Sequence, residues 1–492
     1  FGSTRDGAEV TIAGIRPTTS SYIEWNDNRI NIRIPDDAGS GMVYITTRSG
    51  RSNGILFTNQ THIPVLVSQI REPGHPYIEE ITPSKAPVGS LLLLKGYNFG
   101  NEQDSGKVLF TQSSQDDTSG DSSTNPLQTL EASELDSDYE SWTDREIRVR
   151  VPDGASSGSI KVQVGKIQSN SLYFEVTEEA GSKLYTDKRG FQINYSIEAS
   201  NFKGQPNNSI DFWLPLLVSN LEQRNIELVS DPKPLWDNYR GMMRYRFENV
   251  KSDSVIALSQ TFWFDRYAVH SRILPQAIPL DYDKERRLYK QYTAADPLIP
   301  VMDSKIIQAA RTAGRRERNP YTRARNIYLY LLQRLNYDPK APYENLPSLL
   351  ESRKADSYGY AFLFCSLARA AEIPARPISG YLVYGNKEIV KHYWTEIYFE
   401  NFGWFPVDPL LGDGVIFDSF PQIEEPQEYY FGSLDNQHIT FSKGLAQLKP
   451  LEPSGVVRRR DGILSLQNFH EETVNLEEYT SLWRDLRIID WW

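Results

Sequence analysis

Three side chains at three places in this chain could together carry out nucleophilic chemistry. The stretch RKADSYGYAFLFCSLARAAEIPARPISGY, residues 353–381, opens a helix with a hydroxyl, Ser357, at its tip. Downstream, HYWTEIYFENFGWFPVDP, residues 392–409, supplies His392 and Asp408. A hydroxyl or thiol, an imidazole and a carboxylate make a nucleophile, a base and an orienting acid. A helix start also carries partial positive charge, which favours an anionic nucleophile. The chain's one cysteine, Cys365, cannot take the tip position. It lies about 12 Å further down the axis, at about 1.5 Å per residue. Its apolar neighbours mark it as a core residue.

The elements that must position these groups are legible. Asp356 and Ser357 are N-cap types. Ala361, Leu363, Phe364, Leu367 and Ala368 make a buried stripe, and Pro374 stops the helix. His392, Trp394, Glu396 and Tyr398 alternate along one strand face. ENFG reads as a hairpin turn and WFPVD as the return strand. A turn centred on Asn401 sets residue 394 opposite 408, so Asp408 lies diagonally across from His392, about 7–8 Å away at the backbone. An imidazole and a carboxylate close that gap. Tyr358, Tyr360 and Trp394 are candidates to line a substrate groove, with core packing the competing role, favoured for Trp394. Glu396 reads as a solvated or salt-bridged strand residue and Asp413 as a turn residue. One oxyanion donor is expected at the main-chain N–H of residue 357.

The 492-residue chain suggests about three or four domains at about 100–200 residues each. Aromatics are 12% of it, which favours ordered, β-rich structure. The net charge is −11 and no basic stripe is long enough to track a phosphate backbone, so nucleic acid is not an expected partner. The short basic run Arg458–Arg460 reads as a solvated turn. There is no apolar run of membrane-spanning length. The single cysteine excludes an internal disulfide, and the six scattered histidines show no ligand spacing, so no metal or other cofactor is expected.

The first third holds a duplication. WNDNRINIRIPDDAGSG at 25–41 matches WTDREIRVRVPDGASSG at 142–158, and the second copy carries an insertion within 112–141 that reads as an acidic, Ser-rich solvated loop. Period-2 alternation between turn residues predicts small β-sandwiches. The opening of the second copy, PYIEEITPSKAPVGSLLLLKGYNFG at 76–100, resembles the immunoglobulin-like IPT/TIG domain. The expected domains are residues 1–58, an IPT/TIG domain lacking its first strands, and 63–178, a fuller copy. A β-rich module follows over 182–275 and an α+β core over 276–492. The missing strands and the start at Phe1 rather than Met suggest a processed or trimmed product with further chain, and further copies, on the N-terminal side.

The core resembles the transglutaminase-like family. The carrying residues are the helix start at 357, L-A-R-A-A-x-I-P-A-R, S-G-Y, then H-x-W-x-E-x-Y and G-W-x-P-V-D-P. Members share the papain-like cysteine-protease arrangement and act by acyl transfer, cross-linking or hydrolysing at Gln side chains or peptide bonds. The resemblance makes His392 the general base, Asp408 its orienting acid and Ser357 the occupant of the cysteine nucleophile's place. Glu372 replaces a usual glycine, a change expected to be harmless.

A thiol, with a pKa of about 8.5, can be held as a thiolate. A hydroxyl is far less acidic, so its proton must leave as it attacks. Two functions follow. One is a catalytically inactive, extracytoplasmic binding or scaffold protein on an IPT/TIG stalk, with a protein or peptide ligand and with Ser357 as a helix cap. The other is an acyl-transfer enzyme using Ser357, or a native cysteine replaced by serine. The extracytoplasmic expectation comes from the domain resemblance.

Overall fold

The computed structural model describes residues 1–35, 38–39, 41–57, 74–112, 128–341, 345–417, 423–460 and 465–492. They form two compact units, Phe1–Glu72 and Pro73–Trp492. In the first unit, strands Glu9–Ile12, Gly41–Thr47, Gly50–Arg51 and Ile55–Phe57 share a sheet, and Tyr22–Trp25 pairs with Ile30–Ile32. Val10, Ile12 and Ala38 form its small core.

The second unit opens with a β-sandwich. One sheet runs Gln128–Glu131, Lys107–Gln112, Ala155–Val164, Leu172–Thr177, Lys85–Pro87; the other runs Tyr139–Trp142, Glu146–Arg150, Leu91–Tyr97, Tyr77–Thr82. Alternate residues of both sheets, among them Leu92, Leu94, Val108, Phe110, Ile147 and Val162, fill the space between them. The expectation of a solvated loop over 112–141 needs correction. Residues 113–127 lie outside the described residues, but 128–142 contribute two strands and a turn, and that turn is an interface. Its sequence is polar because it meets buried charges.

A further sheet is organised by one very long strand, Gly181–Pro215. It pairs with Ile256–Ile273 and Met242–Glu248, and also with the C-terminal strands Glu471–Trp483 and Arg487–Trp491. The boundary expected at 275/276 is therefore not clean. The chain leaves this sheet, builds the core, and returns to it. Local pattern cannot reveal such long-range pairing.

The core places helices Arg287–Thr293, Ser304–Gly314, Pro320–Leu332 and Ser357–Ala370 with a four-stranded antiparallel sheet. The sheet order is Gly403–Val407, Glu388–Phe399, Ala375–Tyr384, His438–Lys443. The helix Ser357–Ala370 has no β-branched residue and is almost wholly buried. It packs on the strand Glu388–Phe399, where Thr395 Oγ1 donates to the Ala361 carbonyl at 2.9 Å. Just past its end, Glu372 takes a left-handed φ of 61°.

Sandwich and core are joined by a buried polar seam. Arg376, with no exposed surface, donates to the Leu135 carbonyl at 2.6 Å and to the carboxylates of Asp136 and Glu396. Lys443 adds a second cation, 3.1 Å from Glu396 and 3.5 Å from Asp136. Trp404 lies under the Arg376 guanidinium at 3.8 Å and donates to the Asp136 carbonyl at 2.8 Å. Two cations and two anions thus neutralise one another; Arg376, Lys443 and Glu396 are buried and Asp136 lies at the solvent edge, so the buried charges are paired as burial requires. Beside them the backbones nearly touch. A Cβ on Gly89, whose φ is 82°, would meet the Gly403 nitrogen at 2.7 Å.

Candidate functional site

Ser357 is the first residue of its helix and is 9% exposed. It is not the cap. Asp356 is, its carboxylate accepting from the Gly359 N–H at 2.8 Å. This corrects the expectation of Ser357 as a cap and leaves its hydroxyl without that task. Tyr358, half-buried, stacks on Phe362 at 4.1 Å and meets the edge of Tyr393 at 5.4 Å between ring centroids. The residues next to Ser357 and His392 are therefore in contact.

The hairpin register sets Thr395 opposite Val407, and so residue 394 opposite 408. His392 and Asp408 meet as that register requires, with Nε2 2.6 Å from Oδ2. Both are buried. Asp408 also caps the short helix Pro409–Gly412, its Oδ1 accepting from the N–H groups of Leu410 and Leu411 at 3.0 Å each. These bonds fix the carboxylate plane. Burial pushes the Asp408 acid upward, but the charge and hydrogen bonds of His392 and His438 outweigh it and hold it well below the usual carboxylate range. His392 Nδ1 is buried and has no hydrogen-bond partner among the described residues, the Ser357 hydroxyl included.

Two expected groove residues present no surface. Tyr360 is wholly buried, its hydroxyl donating to Asp413 at 2.6 Å, and Trp394 is 1% exposed. Trp394 instead packs against two imidazoles. Its ring centroid is 6.0 Å from His392 and 5.1 Å from His438. Tyr358 keeps partial exposure at the helix tip. Glu396 belongs to the charged seam, and Cys365 is buried, its thiol pushed up to about 11 by desolvation.

Sequence reasoning missed His438. It begins the outer strand of the sheet, His438–Lys443. Its Nε2 lies 3.1 Å from Asp408 Oδ2 and its Nδ1 2.9 Å from Asp435 Oδ1. Tyr430 donates to the other oxygen of Asp435 at 3.0 Å. The spacing Asp435–His438, an acid and an imidazole three apart at a strand start, was the available signal.

His392, Asp408 and His438 are also ligand types able to gather round a metal ion. Ligands at about 2.0–2.1 Å from a zinc ion stand about 3.0–3.4 Å apart. The 2.6 Å between His392 Nε2 and Asp408 Oδ2 is a hydrogen-bond separation. An open cavity of about 840 Å³ lies behind the helix Pro409–Gly412, lined by Leu332, Gly412, Asp413, Glu425 and Glu428 among others; Ser357, His392 and Asp408 are not part of its wall.

No curated protein matches the chain. Among solved structures, a candidate cysteine protease from Cytophaga hutchinsonii is 14% identical, with 63% of this chain and 93% of that one aligned and a TM-score of 0.39. The periplasmic domain of TgpA from Pseudomonas aeruginosa is 15% identical, with 48% and 88% aligned and a TM-score of 0.25. Residues 76–176 match the IPT/TIG domain family, and residues 307–409, which hold Ser357, His392 and Asp408, match the transglutaminase-like superfamily. The chain therefore carries a transglutaminase-like core, preceded by an IPT/TIG domain.

Proposed function

We propose that this is an extracytoplasmic protein whose transglutaminase-like core binds a protein or peptide ligand without turning it over, Ser357 standing in the place of the family's cysteine. The carrying observation is the unpartnered Nδ1 of His392. A serine attacks only as its proton departs, so base and hydroxyl must come into hydrogen-bond reach, at about 2.6–3.2 Å, once substrate is bound, and here they start out of contact. A cysteine at the same helix tip has another route. The helix end and an imidazolium hold it as a thiolate before the substrate arrives. On this reading the base survives and the nucleophile does not.

The second reading, an acyl-transfer enzyme acting on protein or peptide substrates, draws on the intact pair of His392 and Asp408 at 2.6 Å. Amine incorporation and peptide hydrolysis measured on the parent, Ser357→Cys and His392→Ala proteins separate the two. Silence in the parent and measurable turnover in Ser357→Cys are expected. Parent activity that disappears in His392→Ala would overturn the binding-only reading.

A further inference from the structure

His438 has a carboxylate oxygen at hydrogen-bond distance from each ring nitrogen, Asp408 on one side and Asp435 on the other. A neutral imidazole has one N–H and one lone pair. Whichever nitrogen lost its proton would point a lone pair at a carboxylate, in a place water does not reach. With both carboxylates ionised, both contacts are favourable only if both nitrogens carry hydrogen. Both acids are held below the usual carboxylate range, so the ring between them is an imidazolium.

That cation shares Oδ2 of Asp408 with His392 Nε2, while Oδ1 is filled by two backbone N–H groups. An ionised carboxylate has about four acceptor sites, and all four are used. His392 must then present Nε2–H to Asp408, which leaves Nδ1 as the atom able to take a proton. Nδ1 is the atom without a partner.

We propose that His438 is a positioning residue of this site, a standing imidazolium that keeps Asp408 ionised, takes up part of its charge, and fixes His392 with Nδ1 as the proton acceptor. The inference rests on the reading of Ser357, His392 and Asp408 as the site. Its surroundings agree. Asp408, Asp435, Tyr430, His392 and Trp394 face the His438 ring, and Arg266 donates to its main-chain carbonyl. Tyr328, on the helix Pro320–Leu332, has its hydroxyl pushed up first by burial and then by the charge of Asp408. Burial works against the protonated ring, but the two carboxylates prevail and raise it to about 9.

The first test is nitrogen-15 NMR of the unaltered protein at pH 7.5. Protons on both ring nitrogens of His438, and on Nε2 alone of His392, are expected; a neutral His438 at that pH would overturn the proposal. The second test uses His438→Gln, which keeps a donor for Asp408 and removes the charge. In the Ser357→Cys background, where thiolate and imidazolium act as a pair, the full charge of Asp408 then falls on His392, and the alkaline limb of the pH–rate profile, which reports loss of the imidazolium proton, moves up by about one unit. A folded His438→Gln variant with an unmoved profile also overturns the proposal. If Ser357→Cys turns nothing over while the NMR result holds, the failure falls on the catalytic reading of the site, and the state of His438 stands.

Discussion

A hydroxyl and a thiol at one helix tip ask different things of the imidazole beside them, and Ser357 and His392 are not in hydrogen-bond contact. Around them the ionic partners are complete, and this has a consequence for stability. The His438 ring titrates at about 9 in the fold against an ordinary 6.5. A raised value stabilises the fold fully below the ordinary pKa, and the contribution is lost as pH rises through the folded one. Urea midpoints should therefore fall between about pH 6.5 and 9, by on the order of 3 kcal/mol in unfolding free energy. His438→Gln should flatten that slope; an equal slope in the variant would assign it to other groups. Sequence could give His392 and Asp408 because one hairpin with a short turn joins them. It could not give His438, because the partner of an outer strand is set by the fold of the whole sheet.

The elements were the most readable part. The helix at 357–370 followed from its apolar stripe and its stop at Pro374, and the hairpin register followed from a turn at Asn401, whose φ of 65° suits asparagine. Glu372 shows where pattern reading falls short. The usual glycine there is explained by the left-handed φ of 61°, a conformation that costs a side-chain-bearing residue about 1–2 kcal/mol. The exposed ion pair of Glu372 with Lys284 offsets little of this. Glu372→Gly should raise stability by about 0.5–1 kcal/mol, since glycine returns part of the gain as chain entropy. A loss in the urea midpoint would show that the ion pair dominates.

For the whole molecule, the turn at Leu135–Ser137 decides how the IPT/TIG sandwich relates to the core. Composition suggested a polar loop in water, but the polarity serves Arg376, Lys443 and Trp404 across a seam whose cations are buried. Burial pushes the Asp136 acid up, yet Lys443 and Arg376 hold it far below the usual range. Its contribution is present above about pH 4 and fades as pH falls below that. Asp136→Ala should cost about 3 kcal/mol, because it strips one anion from two buried cations. Calorimetry of the full chain checks this, and a change under about 1 kcal/mol would mean that the seam relaxes and admits water. Sequence reading could not find this seam, whose partners Asp136, Arg376 and Lys443 are far apart along the chain.

Glu396, at the centre of that seam, shares a strand with His392 and is four residues from it. The strand that carries the imidazole is thus the same one that anchors the core to the IPT/TIG sandwich.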